Sequence, residues 1–153
     1  MSAERFTLDT NILVYAVDAR EGYKRELAIR IIEAAGGLDC PLALQAVGEF
    51  YMAATRKLKL GAKDAAARAT QLIAGFDTFG YSVHAVRAAL EEDPKGRFSY
   101  WDGVLLASAA EAGCTTLFSE DLADGARFGS IVVANPFRED GLAPHANAVL
   151  GLE

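Results

Sequence analysis

An alternation narrows the fold of this chain more than any other feature. Short apolar stretches that end at polar residues are separated by longer stretches of helical periodicity. Residues 5–8 read as a buried strand running straight into Asp9, and residues 38–42, 78–83, 115–118 and 131–134 read as further strands. Between them, helices are predicted over 10–17, 23–35, 44–58, 63–76, 85–92 and 101–112. In 23–35 the apolar positions Leu27, Ile31 and Ile32 recur at helical spacing, and Gly36-Gly37 stops the run. Pro94 ends the fifth helix and Gly113 closes the sixth. Strands alternating with helices predict an α/β fold with a mostly parallel sheet. The tail from 137 to 153 is weakly patterned and is expected to be a terminal strand or a partly ordered end.

The 153 residues predict one domain spanning 1–153. A composition 52% hydrophobic and 24% charged excludes a disordered chain. Cys40 and Cys114 stand far apart with no paired spacing, which predicts neither a zinc site nor a disulfide framework. Residues 1–5 lack the basic and apolar pattern of a secretory signal, and no apolar run is long enough to span a membrane, so a cytoplasmic location is expected. The formal net charge of -6 opposes indiscriminate nucleic-acid binding. Two basic clusters are set against it: Arg20, Lys24, Arg25 and Arg30, and then Arg56, Lys57, Lys59, Lys63 and Arg68. They are either solvated helix faces or a rim for a polyphosphate.

Four acidic residues stand where a strand or turn hands over to a helix: Asp9, Glu49, Asp102 and Asp121. In a parallel α/β sheet, strand ends and helix starts share one edge, where ligands gather. If the four carboxylates converge there, a divalent cation must offset their repulsion. Carboxylates without histidine or cysteine select Mg²⁺ or Mn²⁺, which can activate water and stabilise charge on a phosphate. Thr10, Asn11 and Ser119 can hydrogen-bond these carboxylates or a substrate phosphate. Each acid also has a local explanation. Asp9 can cap the following helix. Asp102 stands three residues after Ser99 in a capping box. Asp121 can cap a short helix, and Glu49 can be a solvated helix residue. Phe50, Tyr51 and Trp101 can stack on bases, with the hydrophobic core as the simpler expectation. His84 and His145 have no ligand-like spacing, and there is no glycine-rich phosphate loop.

Taken in order, Leu8-Asp9-Thr10-Asn11-Ile12-Leu13, Gln45-Ala46-Val47-Gly48-Glu49-Phe50-Tyr51, Tyr100-Trp101-Asp102 with Ala107, and Leu117-Phe118-Ser119-Glu120-Asp121-Leu122 resemble the PIN-domain ribonucleases. The nearest subgroup is the VapC toxins of toxin–antitoxin pairs, whose late segment is matched by 124–137. The resemblance implies a three-layer α/β/α fold and a Mg²⁺- or Mn²⁺-dependent endoribonuclease. It implies Asp9, Glu49, Asp102 and Asp121 as metal-site acids, with Thr10, Asn11 and Ser119 as the neighbouring polar positions. It further implies a homodimer, an RNA substrate and a cognate antitoxin whose arginine suits the acidic pocket. Two other classes compete. Aspartyl-phosphate chemistry at Asp9 places a second Asp two residues on, where this chain has Asn11. A catalytically silent RNA- or partner-binding module would keep the fold without the reaction.

Overall fold

The computed structural model describes residues 4–152 of the chain. Its central sheet is built from β1 (Phe6–Leu8), β4 (Thr116–Phe118), β6 (Ile131–Ala134) and β5 (Arg127–Phe128), in the order β1-β4-β6-β5. The first three strands are parallel, with Leu8 opposite Phe118 and Phe118 opposite Ala134, and β5 turns back antiparallel to β6. Phe6, Leu8, Leu117, Phe118, Ile131 and Val133 are wholly buried, which is what apolar runs without alternation require. Each of these large side chains contributes roughly 1.5–3 kcal/mol by leaving water. The Phe6 and Phe118 rings meet edge to face at 5.6 Å.

A short parallel pair, β2 (Leu42–Ala43) and β3 (Thr78–Phe79), adjoins β1. The Phe6 N–H donates to the Asp39 carbonyl at 3.2 Å and the Thr7 hydroxyl to the Pro41 carbonyl at 2.6 Å. The helices are α1 (Thr10–Tyr15), α2 (Tyr23–Ala35), α3 (Leu44–Arg56), α4 (Ala62–Gly75), α5 (Val83–Glu92), α6 (Tyr100–Glu111) and α7 (Pro144–Leu150). They complete the expected three-layer α/β/α arrangement. Helix α6 packs on β2, β5 and β6 and is buried from Gly103 to Ala109. Helix α5 lies against it so closely that a Cβ on Gly103 would stand 3.1 Å from both Cα and Cβ of Ala89. None of the described helices is long and apolar enough to cross a membrane.

Three expectations are corrected. The strands over 38–42 and 78–83 shrink to two residues each. Pro41 has no N–H to pair, and the Ser82 hydroxyl is taken up by the Ala85 N–H at 3.1 Å as the cap of α5. The tail is ordered through residue 152: β7 (Phe137–Arg138) and β8 (Gly141–Leu142) form an antiparallel hairpin, and α7 buries Ala146 and Leu150. Glu153 lies outside the described residues. Strand β5 was not anticipated from the sequence.

Candidate active site

The register of the parallel strands fixes what meets at their carboxyl ends. Beyond Leu8, the Asp9 N–H donates to the Phe118 carbonyl at 2.9 Å, and beyond Phe118 the Ser119 N–H donates to the Ala134 carbonyl at 3.0 Å. The ladder therefore runs one residue past each strand and sets Asp9 beside Ser119. Asp9 stays extended and caps α1, its Oδ1 accepting from the Thr10 N–H at 2.7 Å. Its Oδ2 accepts from the Ser119 hydroxyl at 2.7 Å and from Asn11 Nδ2 at 3.2 Å. One carboxylate thus caps α1 through Oδ1 and joins Ser119 and Asn11 through Oδ2.

The bonds close into a network. Ser119 Oγ also accepts from Asn11 Nδ2 at 3.2 Å and from the Leu122 N–H at 3.3 Å. One donor and two acceptors exhaust a hydroxyl's capacity. Asn11 Oδ1 accepts from the Glu120 N–H at 3.3 Å. Asp9 is only 7% exposed and has no basic side chain paired with it among the described residues. Burial, helped by the charges of Asp102 and Asp121, raises its carboxyl against the pull of the Ser119 and Thr10 hydrogen bonds, to about 6 in all.

The other acids form a rim around Asp9. Glu49 is exposed on α3, where Val47, Phe50 and Ala54 take the inward positions. Glu49 is turned to solvent by this helical phase. It joins the site through Thr10, whose hydroxyl donates to Glu49 Oε1 at 2.8 Å. Asp102 is half-buried in the first turn of α6, its N–H donating to the Ser99 hydroxyl at 3.3 Å. Asp121 is exposed, and no helix follows it; the turn is closed by Ser119 instead. His145 lies on the surface side, 3.9 Å from Glu4 and tilted against Phe118.

One participant escaped the sequence reading. Glu120 accepts from the Tyr15 hydroxyl and pairs with Lys24 Nζ at 2.8 Å, while Lys24 also lies 5.6 Å over the Tyr15 ring. Burial pushes the Glu120 carboxyl up, but Lys24 and Tyr15 together hold it below its ordinary range. Tyr15 is raised by burial and by this carboxylate. The clamp fixes the loop that carries Ser119 and Asp121. Its partners are so distant in the chain that no local signal marks them.

Among the described residues, no three His, Cys, Asp or Glu side chains form a closed ligand cluster. Asp102 and Asp121 act on Asp9 through their charges and Glu49 is tied in through Thr10, without a shared contact. What the site offers a cation is a buried carboxylate without a counter-charge, further carboxylates at its rim and hydroxyl oxygens between them. That donor set fits a hard ion and no soft one.

The family model of the PIN domain matches residues 6–123 of this chain. A comparison with curated proteins gives no match. Among solved structures, VapC20 of Mycobacterium tuberculosis, described as a sarcin–ricin loop cleaving toxin, is similar with a TM-score of 0.60 and 18% identity, over 76% of this chain and 89% of that one. A toxin–antitoxin complex from Klebsiella pneumoniae gives a TM-score of 0.61 at 20% identity, over 89% and 98% of the two chains. VapBC2 from Rickettsia felis, solved with a promoter DNA fragment, gives 0.61 at 15% identity, over 85% and 97%. At these identities the structures speak for the fold, and the family model speaks for descent. With four strand-end and helix-start acids in the order of the sequence motifs, the chain belongs to the PIN domain family.

Proposed function

We propose that this chain is a VapC-type toxin, an endoribonuclease dependent on Mg²⁺ or Mn²⁺ and neutralised by a cognate antitoxin. The observation that carries the reading is Asp9: a carboxylate 7% exposed, with no basic partner among the described residues, under the field of Asp102 and Asp121. Burying an uncompensated charge costs free energy. A structure keeps one where a positively charged ligand is to be held.

Asp9, Asp102, Asp121 and Glu49 are the residues that would hold the ion. When bound, it supplies a water of lowered pKa and positive charge against the phosphate being cleaved. Ser119 and Asn11 lock the Asp9 carboxylate in one rotamer, and the Thr10 hydroxyl orients Glu49. The Ser99 cap fixes the first turn of α6 and so the position of Asp102. In-line attack by water on the phosphodiester would release a free 3′-hydroxyl. A pocket of unpaired carboxylates also suits an arginine presented by an inhibitory partner. The similarity to toxin–antitoxin complexes supports such a partner, and a homodimer is the expected assembly.

The test is digestion of total cellular RNA by the protein freed of any partner, in Mg²⁺, Mn²⁺ and EDTA, with cleavage sites mapped at their ends. Discrete cuts that vanish in EDTA and in Asp102→Asn are expected. Folded protein that binds RNA but leaves it intact in every lane would favour the silent binding module.

A further inference from the structure

Trp101 does not behave as the core residue its sequence neighbourhood predicts. Phe50 is buried and Tyr51 half-buried, but Trp101 is 49% exposed although it directly precedes Asp102. It is held rather than loose. The Tyr100 ring meets it edge-on at 4.9 Å and the Tyr81 ring at 6.1 Å, and Gln45 Nε2 donates to its carbonyl at 3.0 Å. Two tyrosines and a backbone tether fix an indole in water, where the hydrophobic effect alone would fold it away.

The indole forms one wall of a groove of about 730 Å³, whose opposite wall is α3. Glu49 stands in that wall beside the acidic centre. About two turns further along, Arg56 ends α3 and Lys57 follows it; both line the groove and form no ion pair among the described residues. The groove therefore joins an aromatic platform and Glu49, toward the start of α3, to two cations without an ion pair at its end. A chain of flat bases and regularly spaced negative charges matches that sequence of surfaces.

We propose that this groove binds single-stranded RNA next to the cleavage point, with one base stacked on Trp101 and the backbone held by Arg56 and Lys57. The inference rests on the nuclease reading for the position of the cleaved phosphate. It adds what that reading lacks: a requirement for an unpaired base at a defined place, because a base inside a duplex has no free face to offer the indole. Discrimination would follow from stacking strength, purine over pyrimidine, rather than from hydrogen-bond readout.

Trp101 is the chain's one tryptophan, so it reports on itself. Oligoadenylate and oligouridylate 12-mers would be titrated into the intact protein in Ca²⁺ buffer. Tryptophan fluorescence and the polarisation of an end-labelled copy would be read together, and a 12-mer of abasic ribose-phosphate would be run alongside. Oligoadenylate should quench the indole and the abasic strand should not. Trp101→Ala should weaken binding roughly tenfold, as the loss of one stacked base does, Trp101→Phe should retain most of it, and Arg56→Ala with Lys57→Ala should flatten the salt dependence. Binding without quenching, or binding unchanged in Trp101→Ala, would overturn the platform while leaving the nuclease assignment to the digestion of total RNA. Fluorescence that instead changes with protein concentration alone, together with loss of the dimer in Trp101→Ala, would reassign the groove to a contact between two copies of the chain.

Discussion

The Ser119 hydroxyl donates to Asp9 Oδ2 at 2.7 Å, joining positions 110 residues apart. Because the same oxygen accepts from Asn11 and Leu122, Ser119→Ala removes three bonds and leaves a buried carboxylate poorly satisfied. A cost of about 1–3 kcal/mol is expected, read as a lower urea midpoint with an unchanged slope. Asp9 should titrate still higher in this variant, and cleavage should fall with it. Ser119→Thr, which restores the hydroxyl, should recover part of both.

Stability should depend on pH in an unusual direction. The Asp9 carboxyl is raised from 3.8 to about 6 in the folded protein. Between those values the native protein holds a proton that the unfolded chain has lost, so stability falls as pH rises through this window. At 1.36 kcal/mol per unit, Asp9 withdraws up to about 3 kcal/mol at neutral pH. Asp18, held below its ordinary value by the hydrogen bond from Arg20, and Glu120, held low by Lys24 and Tyr15, contribute in the opposite sense, but their share is lost only on further acidification. The melting temperature in EDTA should therefore rise from pH 7.5 to pH 5. Saturating Mn²⁺ should raise it more at pH 7.5 than at pH 5, and Asp9→Asn should remove most of the pH dependence.

Gly103 should resist even the smallest side chain. An alanine Cβ would press on the backbone of Ala89 at 3.1 Å, and Ala89 can yield only if α5 moves as a body. Overpacking costs about 1–3 kcal/mol, set against about 1 kcal/mol of helix propensity gained. A net loss of roughly 1 kcal/mol is expected by thermal unfolding. Because Asp102 is the preceding residue of α6, Gly103→Ala should reduce cleavage by more than its stability loss explains.

Breaking the clamp on the β4 loop should loosen it without unfolding the protein. Glu120→Gln keeps the size of the side chain and removes the charge that Lys24 pairs with at 2.8 Å. For a partly buried pair, a loss near 1 kcal/mol is expected. Amide exchange should speed up at residues 119–123 and stay unchanged in β1, whose ladder does not involve Glu120.

Much of this architecture can be read from the chain because the strands are apolar on both faces. The predicted strand 131–134 and helix 23–35 coincide with β6 and α2. The parallel register then brings Asp9 and Ser119 together with no further information. Other features are invisible locally. Helix α7 is framed by Pro144 in its first turn and Gly151 at a φ of +68°, both ordinary helix signals, yet its short alanine-rich body carries too little periodicity to be recognised. Glu49 reads as a solvated helix residue, and its tie to Thr10 across 39 positions leaves no local mark. The Tyr15–Glu120–Lys24 clamp joins residues more than ninety positions apart, and such pairings exist only once the sheet has formed.

The central claim is that the Asp9 cluster holds a divalent cation, and calorimetric titration of Mn²⁺ into the metal-free protein at pH 7.5 tests it most directly. Saturable binding, weakened at least tenfold in Asp9→Asn and in Asp102→Asn but not in Asp64→Asn on the far helix α4, is the predicted result. Binding of equal strength in all four proteins, or none in the folded wild type, would contradict the account.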